Sequence, residues 1–370
     1  MKFIRTNLSN IKILTPYISY LLFFDFHFSK EDKMKKLLLL ALVLIASFPL
    51  IASGQEESAS GSSDEPIIMK IGHSFSEDTA RHTALTLFEK TVEEKSNGRI
   101  DVELYPSSVL GTEMQMLEAV KMNSLEGLQC GPFEDASPQL LVFTMPFLFS
   151  DMDQVHKVTR SDWAADLVKA TEANGIKVLA IGDSGEFRQF TNNVRPIEEP
   201  ADLESLKIRT PPMDSIIKIV GTLGGNPVSI PFSELYMALK TGLADGEENP
   251  LTNIESKKLY EVQKYLSMLN YQYHAEMLYV PLDWFNNLDT DLQEILLSAA
   301  KEAMLLNDEL LHENTQKAYE VLSENMIVNT ITEEQRQAFI EACAPVYEYY
   351  IEQGVITEEE LEEIRSIANN

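Results

Sequence analysis

The sequence predicts an α/β protein built from two domains. Strand-like and helix-like patterns alternate from Ile67 onward. The chain has 370 residues, enough for two cores. Thr290 to Asn325 contains no Gly or Pro and keeps a helical apolar stripe from Leu292 to Leu322. At 1.5 Å per residue that stretch makes a helix of roughly 54 Å. A domain of about 150 residues is only roughly 30–40 Å across, so the helix is expected to lie across both.

The elements follow in order. Ile67–Ile71 reads as a short strand and Gly72–Asp78 as a polar turn. A helix from about Thr79 to Ser96 stops at Asn97-Gly98, a C-cap signal. Ile100–Tyr105 alternates apolar and polar, the period of a strand, and Thr112–Asn123 is helical. Leu140–Phe149 is apolar and aromatic around Pro146 and reads as core. Ile176–Ile181 is a continuous apolar strand, and Leu206–Arg209 a short one halted by Pro211-Pro212. Met213–Leu223 is a helix ending at Gly224-Gly225, and Val228–Ile230 a strand. Ser233 is expected to cap a helix reaching Thr241. After the long helix, Thr332 with Gln335 and Thr357 with Glu360 form capping boxes that open two more helices.

Met34-Lys35-Lys36, the apolar run Leu37–Ile51 and the small residues Ala52-Ser53-Gly54 have the layout of a cleaved export leader. The run is short for a membrane span. Residues 1–33 are expected to be mis-assigned upstream translation. The start is placed at Met34, because Lys30-Glu31-Asp32 can be encoded by a purine-rich ribosome-binding sequence. Gln55–Pro66 is a Ser/Gly/Glu linker.

Charge then narrows the partners. The whole chain carries −28; residues 1–54 hold seven basic and three acidic residues, so the remainder has 23 positive and 55 negative side chains, net −32. Such a surface excludes nucleic acid and an anionic membrane as partners. Two cysteines, Cys130 and Cys343, exclude a disulfide scaffold and a thiolate zinc ribbon. No G-x-S-x-G, H-E-x-x-H, Walker loop or G-x-G-x-x-G occurs. No metal or cofactor is therefore expected, and the scattered histidines read as ordinary ones. Asp245, Glu247 and Glu248 read as a solvated loop. Two arginines remain. Arg209 ends a strand before Thr210-Pro211-Pro212, and ligands gather at the carboxyl ends of strands in open α/β sheets. Arg188 lies between Phe187 and Phe190. A guanidinium fork suits a carboxylate, because it makes two parallel charge-assisted bonds.

Arg188-Gln189-Phe190-Thr191-Asn192, Leu206-Lys207-Ile208-Arg209-Thr210-Pro211, Pro231-Phe232-Ser233-Glu234-Leu235-Tyr236 and Asp245-Gly246-Glu247-Glu248-Asn249-Pro250 carry a resemblance. So do Tyr105–Gly111, Met145–Phe149 and Tyr265–Met268. With these strings the chain, from about 67 to 365, resembles the substrate-binding proteins of TRAP transporters (tripartite ATP-independent periplasmic transporters), of the DctP type. The resemblance implies a two-lobed periplasmic-binding-protein fold of Venus-flytrap form, with a long helix spanning both lobes. One lobe would comprise 67–186 plus about 275–314, the other 187–274 plus about 315–365. It implies a periplasmic solute-binding protein, not an enzyme. Its ligand would be a small organic acid, a sugar acid or C4-dicarboxylate, and it would deliver that ligand to membrane permease subunits as a monomer. Arg209 matches the position that holds the substrate carboxylate, and Arg188 a second ligand arginine. Asn249 and Phe232 match pocket positions, Ser74 and Glu113 first-lobe contacts, and His73 and Tyr236 complete the candidate set. Tyr271 and His274-Ala275-Glu276 depart from the usual family text near the pocket. An ABC-type or sensor-coupled binding protein, or an exported enzyme acting on carboxylates, are the alternatives.

Overall fold

The computed structural model describes residues 65–370. The leader at 34–54, the segment ahead of it and all but the end of the linker lie outside the described residues. Strand β1 (Ile67–His73) leads to helix α1 (Ala80–Ser96), and β2 (Ile100–Tyr105) to α2 (Glu113–Lys121). Then come β3 (Gly127–Cys130), a 3-10 segment at Pro138–Thr144, α3 (Met152–Thr159), α4 (Asp162–Leu167) and β4 (Ile176–Asp183). The chain continues through β5 (Arg188–Asn192), β6 (Lys207–Thr210), α5 (Asp214–Thr222), β7 (Asn226–Ser229), α6 (Leu235–Lys240), β8 (Gly246–Pro250), α7 (Leu251–Ser256) and β9 (Tyr265–Gln272). It ends with β10 (Ala275–Pro281), α8 (Leu282–Asn286), α9 (Thr290–Asn325), β11 (Ile327–Thr330), α10 (Glu333–Glu352) and α11 (Glu358–Asn369).

Two sheets result. The first has five strands in the order β2-β1-β3-β10-β4, with β1 parallel to β2 and β3, and β10 antiparallel to β3 and β4. The second has six in the order β11-β9-β5-β8-β6-β7; β5 runs antiparallel to both its neighbours, and β6 parallel to β7 and β8. The chain passes from the first sheet to the second between β4 and β5 and returns between β9 and β10. Arg188, the first residue of β5, therefore lies at a crossing.

Helix α9 is the third connection. Its 36 residues make a rod of roughly 54 Å. Leu292, Leu296, Ala299 and Ala303 bury against Met69, Ile71 and Phe88 of the first lobe. Ala318 and Leu322 bury against Leu235, Leu251 and Leu266 of the second. One helix thus serves two cores, as its length required. The C-terminal helices divide likewise: α10 packs on α5, and α11 returns to α3, where Gln154 donates to the Asn369 side chain at 3.2 Å.

A polar network ties the crossings. Asp183 closes β4; its N–H donates to Asp308 Oδ1 of α9 at 2.7 Å, and its carbonyl accepts from Asn307 at 2.8 Å. The Asp183 carboxylate takes the Tyr273 hydroxyl at 2.7 Å and His156 Nε2 at 2.8 Å, while Arg160 donates to Asp308 Oδ2 at 3.0 Å. Beyond it, Gly185 has φ +118°, and a Cβ there would stand 2.5 Å from that of Pro250. This crossing therefore requires glycine.

The capping boxes at Thr332 and Thr357 form as expected, and Asn97 takes the left-handed C-cap conformation at φ 55°. Two expectations fail. Ser233 caps nothing: Phe232–Glu234 is a 3-10 turn, and α6 starts at Leu235 without a side-chain cap. Glu247 and Glu248 are no solvated loop; both are fully buried in β8. Cys130 and Cys343 are free and buried, and burial pushes the Cys343 thiol up to about 12. Among the described residues, no helix is long and apolar enough to cross a membrane.

Candidate functional site

Between the two sheets lies a cavity of about 40 Å³, walled by both lobes. Arg209 reaches it from β6, where its backbone is in register with Glu247 of β8 and Val228 of β7. Its side chain is 1 % exposed. Nε donates to the Ile230 carbonyl at 2.8 Å, but Nη2, fully buried, has no partner. Burial pushes the Arg209 pKa down to about 10, against the attraction of Glu248 and Glu247. A buried guanidinium edge without an acceptor is costly. An anion placed at that edge would remove the cost.

Arg188 is differently employed. Its Nε binds Glu248 Oε2, its Nη2 binds Glu248 Oε1 at 2.9 Å, and Nη2 also donates to the Glu248 carbonyl at 2.6 Å. Burial alone would lower its pKa, but Glu248 carries it above the ordinary arginine value. Only Nη1 is left, 3.5 Å from His274 Nδ1. The Tyr271 hydroxyl donates to Glu248 at 2.6 Å, so the departure at Tyr271 completes this buried ion pair. Asn249 joins the same network: its oxygen accepts from Arg188 Nη2 at 3.4 Å and Asn253 at 3.2 Å, and its nitrogen donates to Glu247 at 2.5 Å. Burial pushes the Glu247 carboxyl up to about 7, although bonds from Asn249 and Thr191 oppose it.

The first lobe supplies an acidic wall. Glu113, first residue of α2, is pushed up to about 7, by burial and then by Glu276. Arg209, Arg81 and the nearby Ser74 hydroxyl oppose the rise. Glu276 of β10 is 1 % exposed; Oε2 lies 3.5 Å from Arg81 Nε, and Oε1 has no partner. Burial raises the Glu276 pKa and Arg81 opposes the rise. His274, between β9 and β10, is held well below 6.5 by burial and by Arg188, so it is neutral. Lys257 holds its ammonium 4.7 Å from the centre of the Phe232 ring, within the electrostatic reach of Glu113 and Arg209.

Several contacts join the lobes across the cleft, among them the Ser215 N–H donating to Glu134 of the first lobe at 2.9 Å. Phe75 meets Phe232 with ring centres 5.0 Å apart. Arg81 of α1 donates from Nη1 to Asn253 of α7 at 3.1 Å, and from Nη2 to the Ser184 hydroxyl at 3.1 Å. Its guanidinium stacks 3.8 Å above the Phe75 ring.

Of the residues expected from sequence, Arg209, Arg188, Asn249, Phe232 and Glu113 line this cavity. Ser74 stands behind Glu113 and accepts from the Ser108 hydroxyl at 3.0 Å. His73 is buried away from the cavity, 3.1 Å from His82, and its Nδ1 accepts the Phe75 N–H at 3.3 Å. Burial pushes it down to about 3. Tyr236 is outside as well, donating to Glu261 at 2.7 Å. Sequence reasoning missed Arg81, Asn253, Phe75 and Lys257. Arg81 had a signal: it falls on the buried stripe of α1 with Leu85, Phe88 and Val92, where an arginine needs a buried partner. His156, Asp183 and Asp308 offer ligand atoms within 4.8 Å of one another. Tyr273 and Arg160 already bind those carboxylates, so the trio acts as the internal tie described above.

Residues 71–353 match the family described as bacterial extracellular solute-binding protein, family 7, DctP. The 2,3-diketo-L-gulonate-binding periplasmic protein YiaO of Escherichia coli is 32 % identical over 276 residues, 74 % of this chain and 84 % of that one. A crystal structure of the sugar acid binding protein DctPAm from Advenella mimigardefordensis, in complex with galactonate, superposes with a TM-score of 0.78 at 28 % identity, covering 82 % of this chain and 98 % of that one. A TRAP periplasmic solute-binding protein from Shewanella oneidensis with bound succinate gives 0.77 at 27 %, covering 82 % and 100 %.

Proposed function

The chain belongs to the bacterial extracellular solute-binding protein family 7, the TRAP transporter DctP type, and we propose that it captures a small organic acid by a carboxylate bound at Arg209. The observation that carries this is the guanidinium of Arg209, a residue that lines the cleft and whose buried Nη2 has no acceptor in the protein. Solved relatives hold galactonate and succinate, which supports a carboxylate-bearing ligand. Arg188 presents only Nη1 to it, so its main task is to hold Glu248 and Asn249 in place. The lobes, 67–186 with about 275–314 and the returning α11, and 187–274 with about 315–352, close around the acid by turning about the crossings near Gly185 and Tyr273. Closure excludes water and strengthens the ion pair. The closed protein, a monomer in the periplasm after its leader is cleaved, hands the acid unchanged to TRAP permease subunits.

A thermal-shift screen over sugar acids, hydroxy acids, 2-oxo acids and dicarboxylates tests the reading. A ligand at 100 times its Kd adds about 2.7 kcal/mol to stability. At least one carboxylate is expected to raise the melting temperature. A screen in which none does, while a neutral or cationic solute does, overturns the proposal.

A further inference from the structure

The unpartnered polar atoms of the cavity-lining residues differ in type between the two lobes. On the second-lobe side stand donors. Arg209 Nη2 has no partner. His274 is neutral, and its Nδ1 faces the Arg188 guanidinium at 3.5 Å, so Nδ1 accepts and the hydrogen resides on Nε2. That Nε2 is buried and unpartnered. On the first-lobe side stand acceptors: Glu276 Oε1, buried and unpartnered, and the Glu113 carboxyl. Arg81 does not neutralise this wall completely, because its guanidinium is shared among Glu276, Asn253 and Ser184.

Resting on the carboxylate reading above, we infer that the ligand is a hydroxylated monocarboxylate, and that Glu113 and Glu276 are the specificity residues that accept its hydroxyls and reject a second carboxylate. A dicarboxylate anchored at Arg209 would direct its far carboxylate at two acidic side chains, an arrangement of like charges in a water-poor cleft. A hydroxyl at the same place donates to them. Site groups that find a donor accept it, and a substrate lacking one leaves them unpaired, which is the strongest form of discrimination. A carboxyl that titrates near neutrality both accepts and donates, so Glu113 suits a hydroxyl better than an ammonium group. The groups facing Glu113 are Glu276, Arg209, Arg81, Lys257, the Ser74 hydroxyl and the Cys130 thiol. Of the acids, Glu113 rises to about 7, so rejection of a dicarboxylate strengthens with pH.

Calorimetry with D-erythronate, D-galactonate and succinate at pH 6 and pH 8 tests this. The wild-type protein is expected to bind one of the two hydroxy acids at least 100-fold more tightly than succinate at pH 8, with a smaller ratio at pH 6. Glu113→Gln, at the first turn of α2, should narrow the pH 8 ratio at least tenfold by strengthening succinate, in a protein that melts no lower than wild type at pH 8, because it removes a buried carboxyl whose pKa is raised. Glu276→Gln should narrow it independently. Succinate binding as tightly as the hydroxy acids at pH 8 overturns the inference. So does Glu113→Gln weakening all three acids equally, as a structural role would. If succinate wins and Arg209→Lys weakens it, carboxylate capture stands and only the hydroxyl preference falls; L-serine binding in place of all three acids assigns the wall to an ammonium group and overturns it too.

Discussion

Replacing Arg209 by Lys probes the site at one bond. In the structure its Nε is spent on the Ile230 carbonyl at 2.8 Å, and the Nη edge, with Nη2 buried and unpartnered, is left for a ligand. Lysine keeps the charge but brings a single nitrogen in place of a planar fork. It can satisfy Ile230 or the carboxylate, not both in their present positions. The loss is therefore one charge-assisted hydrogen bond, roughly 1.5–3 kcal/mol, or a Kd weaker by roughly ten- to a hundredfold. Because the residue is 1 % exposed, the loss should change little between low and moderate salt. Titration calorimetry of the best acid from the screen measures it, with a melting curve to show that the fold is intact. Arg188→Lys is the contrast. It breaks the buried pair with Glu248, so it should lower the melting temperature as well as affinity. An Arg209→Lys protein that binds its acid with wild-type affinity would refute the reasoning and remove Arg209 from the site.

Asn253→Ala removes the acceptor of the Arg81 bond across the cleft, so the closed form loses a charge-assisted bond of about 1.5–3 kcal/mol. Calorimetry should show weaker binding, and small-angle scattering a smaller ligand-induced compaction. Unaltered affinity would mean that this bond does not hold the lobes together. Glu247→Gln tests the buried carboxyl. Its folded pKa is raised to about 7 from an ordinary 4.5. Above pH 4.5 the unfolded chain releases a proton that the folded chain keeps, so stability falls as pH rises and the cost is complete above 7. At about 1.4 kcal/mol per unit the cost reaches about 3 kcal/mol. The variant should therefore gain on wild type between pH 5 and pH 8 in chemical denaturation, and parallel curves would contradict it.

Local signals were the legible part of the fold. The two capping boxes, the αL stop at Asn97 and the unbroken stripe of α9 depend on neighbours a few residues away, and each formed. The strands β5 and β8 were illegible by periodicity, because they bury polar side chains. Arg188, Gln189, Thr191, Asn192, Glu247, Glu248 and Asn249 are all at most 3 % exposed, and a run of such residues reads as solvated loop. Pairing across strands makes the burial tolerable: Thr191 bonds Glu247 at 2.8 Å, and Arg188 bonds Glu248. Only the family resemblance marked these segments beforehand. In the site, Arg209 was visible from its place at a strand end. Arg188 was given a ligand role, but its fork is taken by Glu248, a partner 60 residues away that no local pattern reveals. Glu276 and His274 stood out only as departures from the usual text, and they now line the cavity.

A crystal structure of the protein with D-galactonate or D-erythronate tests the central claim most directly. The account predicts both lobes closed on the acid, its carboxylate within hydrogen-bonding distance of Arg209 Nη2 and its hydroxyls toward Glu113 and Glu276. A carboxylate bound elsewhere, with Arg209 Nη2 still lacking an acceptor, would contradict it.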